Sequence, residues 1–322
     1  MCNSFNTPVL FIIFSNPQTT RKTFEQIRSV RPARFYIAAD GPRANVVGEV
    51  ELAREARSIV DDIDWPCVVK TFFREENSGG AGSGVYAALD WFFSEVEEGI
   101  VLEYDCVPHP DFFPYCAELL ERYRNDERVM VIGGNNLQDG LVRGDASYYY
   151  SPIPYTWGWA SWRRTWRKYV YDLEQINKFD FAKAIPFAKK DKEIERYWKW
   201  VFYLMQTKRI DTWDYQLMFA VWLSGGTCIN PNINLVTHSV SQNGESGTYF
   251  LTHQPGTTNV PTSAILPLIH PSLVNPDEDA YFYHCKKYRL GMSKKKLAYQ
   301  VARLYIPDFL VNFFKKILTI KL

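Results

Sequence analysis

Apolar runs of strand length alternate with segments of helical composition through the first 135 residues. Such uninterrupted apolar runs are typical of strands that are covered on both faces. The runs are VLFIIF (9–14), ARFYIAA (33–39), VVKTFF (68–73), IVLEY (100–104) and VMVIGG (129–134). The helical segments between them are 18–30, 45–63, 84–98 and 110–124. The alternation predicts an α/β fold, with a mostly parallel, Rossmann-like sheet flanked by helices.

The pattern changes after about residue 145. An aromatic-rich segment (147–162) is expected to form loops, and two helices are predicted around 189–207 and 212–224. Because no Gly/Ser-rich linker separates the halves, we expect the second half to pack against the ligand-bearing edge of the sheet. The predicted organisation is one domain over 1–250, with a first half (1–135) and a second half (136–250). A C-terminal loop and amphipathic helical region, 251–322, completes the chain.

Composition limits the classes of partner and the compartment. Charged residues make up 23% of the chain and the formal net charge is +1, so the composition provides no bulk basic surface for nucleic acid. Six cysteines without a CxxC pair indicate reduced, mostly buried thiols. The N-terminus has no basic segment, and its apolar run is too short for a signal sequence or a membrane span. These features predict a cytoplasmic protein.

Polar side chains stand where the predicted strands end. The carboxyl ends of parallel strands meet at one edge of a sheet, and ligands bind there. A single Asp-Gly pair at such a position is also typical of a turn, but polar residues at the ends of four strands together predict a binding cleft. The residues are Ser15 and Asn16 after the first strand, Asp40 after the second, Arg74 and Asn77 after the third, and Glu103 and Asp105 at the fourth.

The segment IVLEYDCVPHPDFF (100–113) contains two acids, Glu103 and Asp105, at the end of an apolar strand. Carboxylates two residues apart in a strand point to the same side and can share one divalent cation. Mg²⁺ or Mn²⁺ suits such oxygen ligands and would neutralise a diphosphate. The alternative is a solvated strand end followed by a helix with Asp111 as its N-cap residue.

A glycine-rich turn, NSGGAGSG (77–84), leads into a predicted helix. Backbone N–H groups in such a turn can approach a phosphate at the helix N-terminus. The turn is not a Walker loop, because no Gly-Lys-Ser/Thr follows. Gly80, Gly82 and Gly84 precede Glu103 by about 20 residues, as in a dinucleotide fingerprint, but the turn follows the third strand instead of the first.

The segment DTWDYQ (211–216) places two acids beside a tryptophan. Burial beside an aromatic ring would raise the basicity of Asp214, as a general base requires. The alternative is structural: Asp211 or Thr212 would cap a helix, and Asp214 would lie in its first turn. Spacing leaves both interpretations open.

Several of these segments resemble a known family. TPVLFIIFSNP (7–17), FYIAADGP (35–42), REENSGG (74–80) and VLEYDCVPHPDFF (101–113) are similar to sequences of nucleotide-diphospho-sugar transferases with the GT-A fold. The likeness is to the Golgi N-acetylglucosaminyltransferase I type and its bacterial relatives in polysaccharide clusters. It covers roughly 7–250 and is most specific in the last of these segments.

The resemblance implies a metal-dependent, inverting transfer of a sugar from a nucleoside-diphosphate donor, UDP-linked, to a glycan or lipid-linked acceptor. Mn²⁺ or Mg²⁺ would be the cofactor. By the same resemblance, the first half of the domain binds the nucleotide and the second half carries the acceptor and catalytic residues. The implied roles are cation binding for Asp105, ribose or sugar contact for Glu103, base contact for Asp40, and nucleotide contact for Arg74 and Asn77.

The same resemblance implies that Asp214, in the Trp-Asp pair, is the catalytic base. The chain departs from the family at Tyr104, where relatives have a second acid, and this departure changes the expected sugar contact. After Asp214 comes Tyr215, where relatives can have another acid, so the assignment of the base rests on Asp214 alone.

Three more residues are expected to contact the donor. Ser15 and Asn16 are expected in the donor site, and the aromatic loop that contains Trp159 is expected to stack on a sugar.

The C-terminal residues 308–322 form a basic amphipathic pattern that suits either peripheral contact with a membrane or docking on the protein. The rival functions are a sugar nucleotidyltransferase and a non-catalytic nucleotide- or glycan-binding protein on the same fold.

Overall fold

The computed structural model describes residues 5–176, 184, 190–239 and 259–289. Ten strands occur in these ranges: β1 Val9–Ile13, β2 Arg34–Ala39, β3 Val68–Phe73, β4 Glu98–Glu103, β5 Cys106–Pro108, β6 Val129–Gly133, β7 Tyr148–Ser151, β8 Trp159–Trp162, β9 Thr227–Pro231 and β10 Val236–His238. The α-helices are α1 Pro17–Val30, α2 Glu49–Arg57, α3 Ala81–Glu95, α4 Phe112–Arg122, α5 Arg163–Trp166, α6 Lys192–Gln206, α7 Asp214–Leu223 and α8 Glu278–His284.

Eight strands form one mixed sheet in the order β3-β2-β1-β4-β8-β6-β9-β7. The pairs among β3, β2, β1 and β4 are parallel, as is the pair β6–β9, whereas β8 and β7 run antiparallel to their neighbours. The predicted α/β class and the five predicted strands are confirmed. Strands β5 and β10 form a separate antiparallel pair.

The sheet is buried on both faces because helices cover each side. Alternate residues of β1 point to opposite faces. Val9, Phe11 and Ile13 pack on the side of α1 and α4, and Leu10 and Ile12 pack on the side of α3. The edge strand β3 differs from the prediction, because it is only partly covered.

The aromatic segment 147–162 was expected to form loops; this holds for residues 152–158 but is wrong for the two ends. Its two ends are strands β7 and β8, and every residue of both is buried. Strand β8 inserts between β4 and β6, where Ala160 lies opposite Ile100 and Ile132. Strands from both halves of the chain therefore form one sheet. The two helices predicted in the second half are confirmed as α6 and α7.

The carboxylate of Asp111 does not cap helix α4, contrary to the alternative given in the sequence analysis. Asp111 occupies the N-cap position of α4 but makes no side-chain capping bond. Its carboxylate instead accepts hydrogen bonds from the backbone N–H of Ile265 at 2.9 Å and of Leu266 at 3.3 Å. The bonds fasten the segment 259–275 to the start of α4.

The C-terminal prediction cannot be placed in the fold. Helix α8 is followed by a π-helical turn that ends at Arg289, and the amphipathic stretch 308–322 lies outside the described residues. Within the ranges that the structure describes, no helix is long and apolar enough to cross a membrane.

Candidate active site

A cleft of about 730 Å³ opens at the carboxyl ends of β1, β2 and β4. The β1 and β2 ends lie side by side because these strands pair in parallel register, and β4 pairs with the other edge of β1. The segment 211–214 and the end of β10 form the opposite wall. Nine of the ten site residues expected from the sequence line this cleft: Ser15, Asn16, Asp40, Arg74, Asn77, Glu103, Tyr104, Asp105 and Asp214.

Trp159 is the exception. It lies in strand β8, is 1% exposed and is absent from the cleft lining. Its ring stacks on Trp213 with centroids 5.6 Å apart, behind the cleft wall. The expectation that Trp159 stacks on a sugar is therefore corrected: its ring supports the wall. The aromatic ring of that loop that does line the cleft is Trp157.

Asp105 lies beside a histidine that the sequence analysis did not single out. The Nε2 atom of His238 is 3.3 Å from a carboxylate oxygen of Asp105. The antiparallel pairing of β5 with β10 brings them together, since His238 lies opposite Cys106. The indole of Trp157 stacks on the imidazole at 4.5 Å between centroids, which fixes the plane of the ring.

Glu103 lies on the cleft floor close to two other carboxylates. Burial raises the pKa of Glu103, and repulsion from Asp105 and Asp214 raises it further, to about 8. Three acids that repel one another form a site where a cation lowers the electrostatic energy.

The oxygen and nitrogen atoms of these side chains suit a cation whose coordination is completed by a bound ligand. Among the described residues, no three acidic, histidine or cysteine side chains form a complete metal cage. Mg²⁺ is typically held by one or two carboxylates together with substrate phosphates. Asp105 with His238 is the pair that could hold such an ion.

Asp214 is held in a defined orientation at the start of α7. Its Oδ1 atom accepts hydrogen bonds from the Thr212 hydroxyl and from the Tyr215 backbone N–H, the latter at 3.0 Å. The Tyr169 hydroxyl donates to the carbonyl of Trp213 at 3.0 Å. Trp213 occupies the N-cap position without a side-chain capping bond. The capping interpretation of Asp211 and Thr212 is therefore wrong for this helix.

The glycine-rich turn is already occupied by an acid of the same chain. The Gly82 backbone N–H, in the first turn of α3, donates to Oδ2 of Asp211 at 3.2 Å. Gly80 and Gly82 are both close to that carboxylate. The phosphate-binding interpretation of this helix N-terminus is corrected, because Asp211 lies where the anion would bind.

Asp40 organises the turn that follows β3. Its carboxylate accepts hydrogen bonds from the Ser78 backbone N–H at 3.0 Å and from the Ser78 hydroxyl at 2.6 Å. The Asn77 side-chain amide donates to it at 3.2 Å, and Arg74 lies 3.2 Å away as an ion pair. Asp40, Arg74 and Asn77 therefore form one connected wall of the cleft.

A partly buried ion pair lies at the end of the cleft near β1. Glu49 is almost fully buried and accepts hydrogen bonds from the backbone and guanidinium of Arg43 and from the Ser15 hydroxyl. Burial would raise the pKa of Glu49, but the bonds from Arg43 outweigh this effect and hold the pKa below its ordinary value. Asn16 caps helix α1 by accepting from the Thr19 N–H at 3.2 Å.

Sequence reasoning missed His238, Glu49 and Arg43, and it named Asp211 only as a possible helix cap. The signal for His238 was the polar end of the apolar run INLVTH (233–238), which resembles the strand ends that were recognised. Glu49 is the first residue of helix α2, and Arg43 lies in the connection before that helix, whose path the sequence does not reveal. The contact of Asp211 with a turn 129 residues earlier in the chain has no local signature.

No protein-family profile and no curated protein sequence matches the chain. Three partial structural matches are TarS 1-349 of S. aureus (12% identity, TM-score 0.36, 50% of this chain and 48% of that one), the inositol-1-phosphate CTP transferase of T. maritima (10%, 0.30, 50% and 73%), and the bifunctional glycosyltransferase WbbM (16%, 0.23, 44% and 25%). The chain thus spans about half the length of the TarS structure.

Proposed function

We propose that this protein is a metal-dependent, inverting glycosyltransferase of the GT-A type. It transfers a sugar from a nucleoside-diphosphate donor, UDP-linked, to a hydroxyl of a glycan or lipid-linked saccharide. The observation that carries the proposal is the convergence of Asp105, His238 and Asp214 on one cleft at the carboxyl ends of parallel strands. The cleft volume lies within the usual range for small-ligand sites.

Asp105 and His238 would hold Mn²⁺ or Mg²⁺ together with the donor diphosphate. The cation would stabilise the negative charge that the leaving nucleoside diphosphate gains. Glu103 lies next to Asp105 on the same strand end, where it would contact the ribose or the sugar. Asp40, Arg74 and Asn77 form the wall that would face the nucleotide.

Asp214 would act as the general base. It would remove the proton from the acceptor hydroxyl while that oxygen attacks the anomeric carbon from the face opposite the diphosphate. The bonds from Thr212 and Tyr215 to Oδ1 hold the carboxylate in place for this step. Inversion follows from a single displacement, which requires no covalent sugar–enzyme intermediate.

Binding and turnover can be tested separately. We expect UDP to bind in calorimetry only with Mn²⁺ or Mg²⁺, and this binding to disappear in Asp105→Ala, because the cation links protein and diphosphate. Asp214→Asn should keep the binding and lose turnover of the matching UDP-sugar by about 10²- to 10⁴-fold, the usual contribution of a general base. Asp61→Ala, an exposed acid outside the cleft, is the matched control.

Other outcomes would redirect the assignment. Metal-dependent binding without transfer to any acceptor would identify a non-catalytic binding protein. Release of pyrophosphate from a nucleoside triphosphate and a sugar phosphate would identify a nucleotidyltransferase. Failure of UDP, GDP and CDP to bind under every metal condition would contradict the glycosyltransferase assignment and favour a glycan-binding protein on the same fold.

A further inference from the structure

The carboxylate of Asp211 fills space that side chains would otherwise occupy at the start of α3. A Cβ atom at Gly80 would lie 2.0 Å from Oδ2 of Asp211, and one at Gly82 would lie 2.5 Å from Oδ1. The Gly82 position would also meet the backbone of Thr212 at 2.8 Å. Two glycines of the turn 77–84 therefore allow the segment 211–212 to approach the helix.

The contact also has an electrostatic reason. The first N–H groups of a helix lack partners within the helix and carry partial positive charge. Helix α3 has no acidic residue in its first turn, and its N-cap residue, Gly80, has no side chain that could accept a bond. Asp211 supplies both the acceptor and the negative charge from a distant part of the chain.

This contact lies three residues before Asp214. From Asp211 the chain passes through Thr212, whose hydroxyl donates to the Asp214 carboxylate, and Trp213, whose carbonyl accepts from Tyr169. The segment 211–214 is thus attached at one end to α3 and at the other to the start of α7. A short segment fixed at both ends has few ways to rotate or shift.

We propose that Asp211 is a positioning residue, which holds the segment 211–214 against the N-terminus of α3 and so sets the place of Asp214 in the cleft. Its effect on catalysis rests on the proposed function, since Asp214 is the base only in that reaction. The attachment itself is independent of that function. Asp211 acts through the backbone that it fastens and has no contact with the reacting atoms in this assignment.

Kinetics test the effect on catalysis. We expect Asp211→Ala to lower kcat by about 100-fold, the loss typical of a reacting group displaced by about 1 Å. The affinity for UDP with Mn²⁺ should stay close to that of wild type, because Asp105 and His238 belong to other elements. Asp211→Asn, which keeps an oxygen acceptor for the Gly82 N–H, should recover most of kcat. Asp61→Ala is again the control.

A double-mutant cycle tests the attachment without any substrate. Gly80 has an extended φ of 178°, which any residue adopts, so an alanine there is opposed by the carboxylate of Asp211. Gly80→Ala should therefore lower both the melting temperature and kcat in the wild-type background. In the Asp211→Ala background the same substitution should cause no further loss, because the carboxylate that it meets is gone.

These measurements separate the possible failures. An unchanged kcat in Asp211→Ala, or a kcat that falls only in step with UDP affinity and thermal stability, would overturn the positioning role. If Gly80→Ala lowers the melting temperature equally in both backgrounds, the attachment is wrong. If the wild type transfers no sugar although the thermal cycle shows the expected coupling, the proposed function fails while the attachment stands.

Discussion

The three carboxylates on the cleft floor have a consequence for stability at the level of single residues. Glu103 has an ordinary pKa near 4.5 and a pKa of about 8 in the folded protein. A carboxyl group whose pKa is raised on folding stabilises the protein fully below its unfolded pKa, and this stability is lost as the pH rises through the folded value. Metal-free protein should therefore lose stability between about pH 4.5 and pH 8 through this residue.

Glu103→Gln removes the ionisable group and should remove this loss. In buffer with a chelator, we expect the variant to be more stable than wild type at pH 8 and nearly equal to it at pH 4.5. The gain should be a few kcal/mol at most, because the cleft keeps Glu103 in partial contact with water. Urea unfolding at several pH values measures it. A variant that is less stable than wild type at pH 8 would contradict the repulsion.

The identity of a residue alone does not decide which of two roles its side chain has. Asp111 and Asp211 both precede helices, and both were considered as caps of those helices. Each instead accepts hydrogen bonds from a distant backbone. A carboxylate bonds to whichever N–H group the fold brings near it, and the sequence does not state which group that is.

At the level of elements, Asp111 is one of two polar links between α4 and the segment 259–275; the other places Nε2 of His270 3.0 Å from a carboxylate oxygen of Glu118. Asp111→Ala should leave the N–H groups of Ile265 and Leu266 without their acceptor, at a cost of about 1–3 kcal/mol where such groups are buried. Limited proteolysis should then cut this segment faster, while the helical circular dichroism stays unchanged. Glu121→Ala, an exposed substitution on the same helix, is the control. Equal cleavage rates in both variants would refute the link.

The predicted and observed elements differ mainly where a strand is too short to show a recognisable hydrophobic pattern. The five apolar runs were recognised because each is a mainly hydrophobic strand next to a polar turn. Strands β7 and β8 were missed because YYYS and WASW are short and rich in aromatic residues. Their partners, β9 for one and β4 with β6 for the other, lie far away in the sequence.

At the level of the whole molecule, the sheet order joins the two halves of the chain. Strand β8, from the second half, separates β4 from β6 of the first half and pairs with both. A fragment of residues 1–135 would leave the edge of β4 unpaired, with β6 detached from the remaining sheet. Unpaired apolar strand edges favour aggregation.

We therefore expect the full chain to unfold in one main calorimetric transition and the 1–135 fragment to be insoluble or unfolded. The cooperativity follows from the shared sheet, since loss of β8 breaks contacts on both sides at once. Differential scanning calorimetry and circular dichroism provide the measurements. Two well-separated transitions, or a soluble fragment with native-like strand content, would show that the halves are independent.

The local pattern by itself determined the α/β class, the five long strands with their intervening helices, and the edge of the sheet where polar residues gather. These features follow from hydrophobic periods and strand ends, which are properties of neighbouring residues. Only the tertiary structure decided that β8 inserts between β4 and β6, that Trp159 is buried behind the cleft, and which acids meet. The pairs Asp105–His238 and Asp211–Gly82 each join residues more than a hundred positions apart. Such contacts depend on the order in which the strands pair in the sheet, and no local sequence pattern encodes that order.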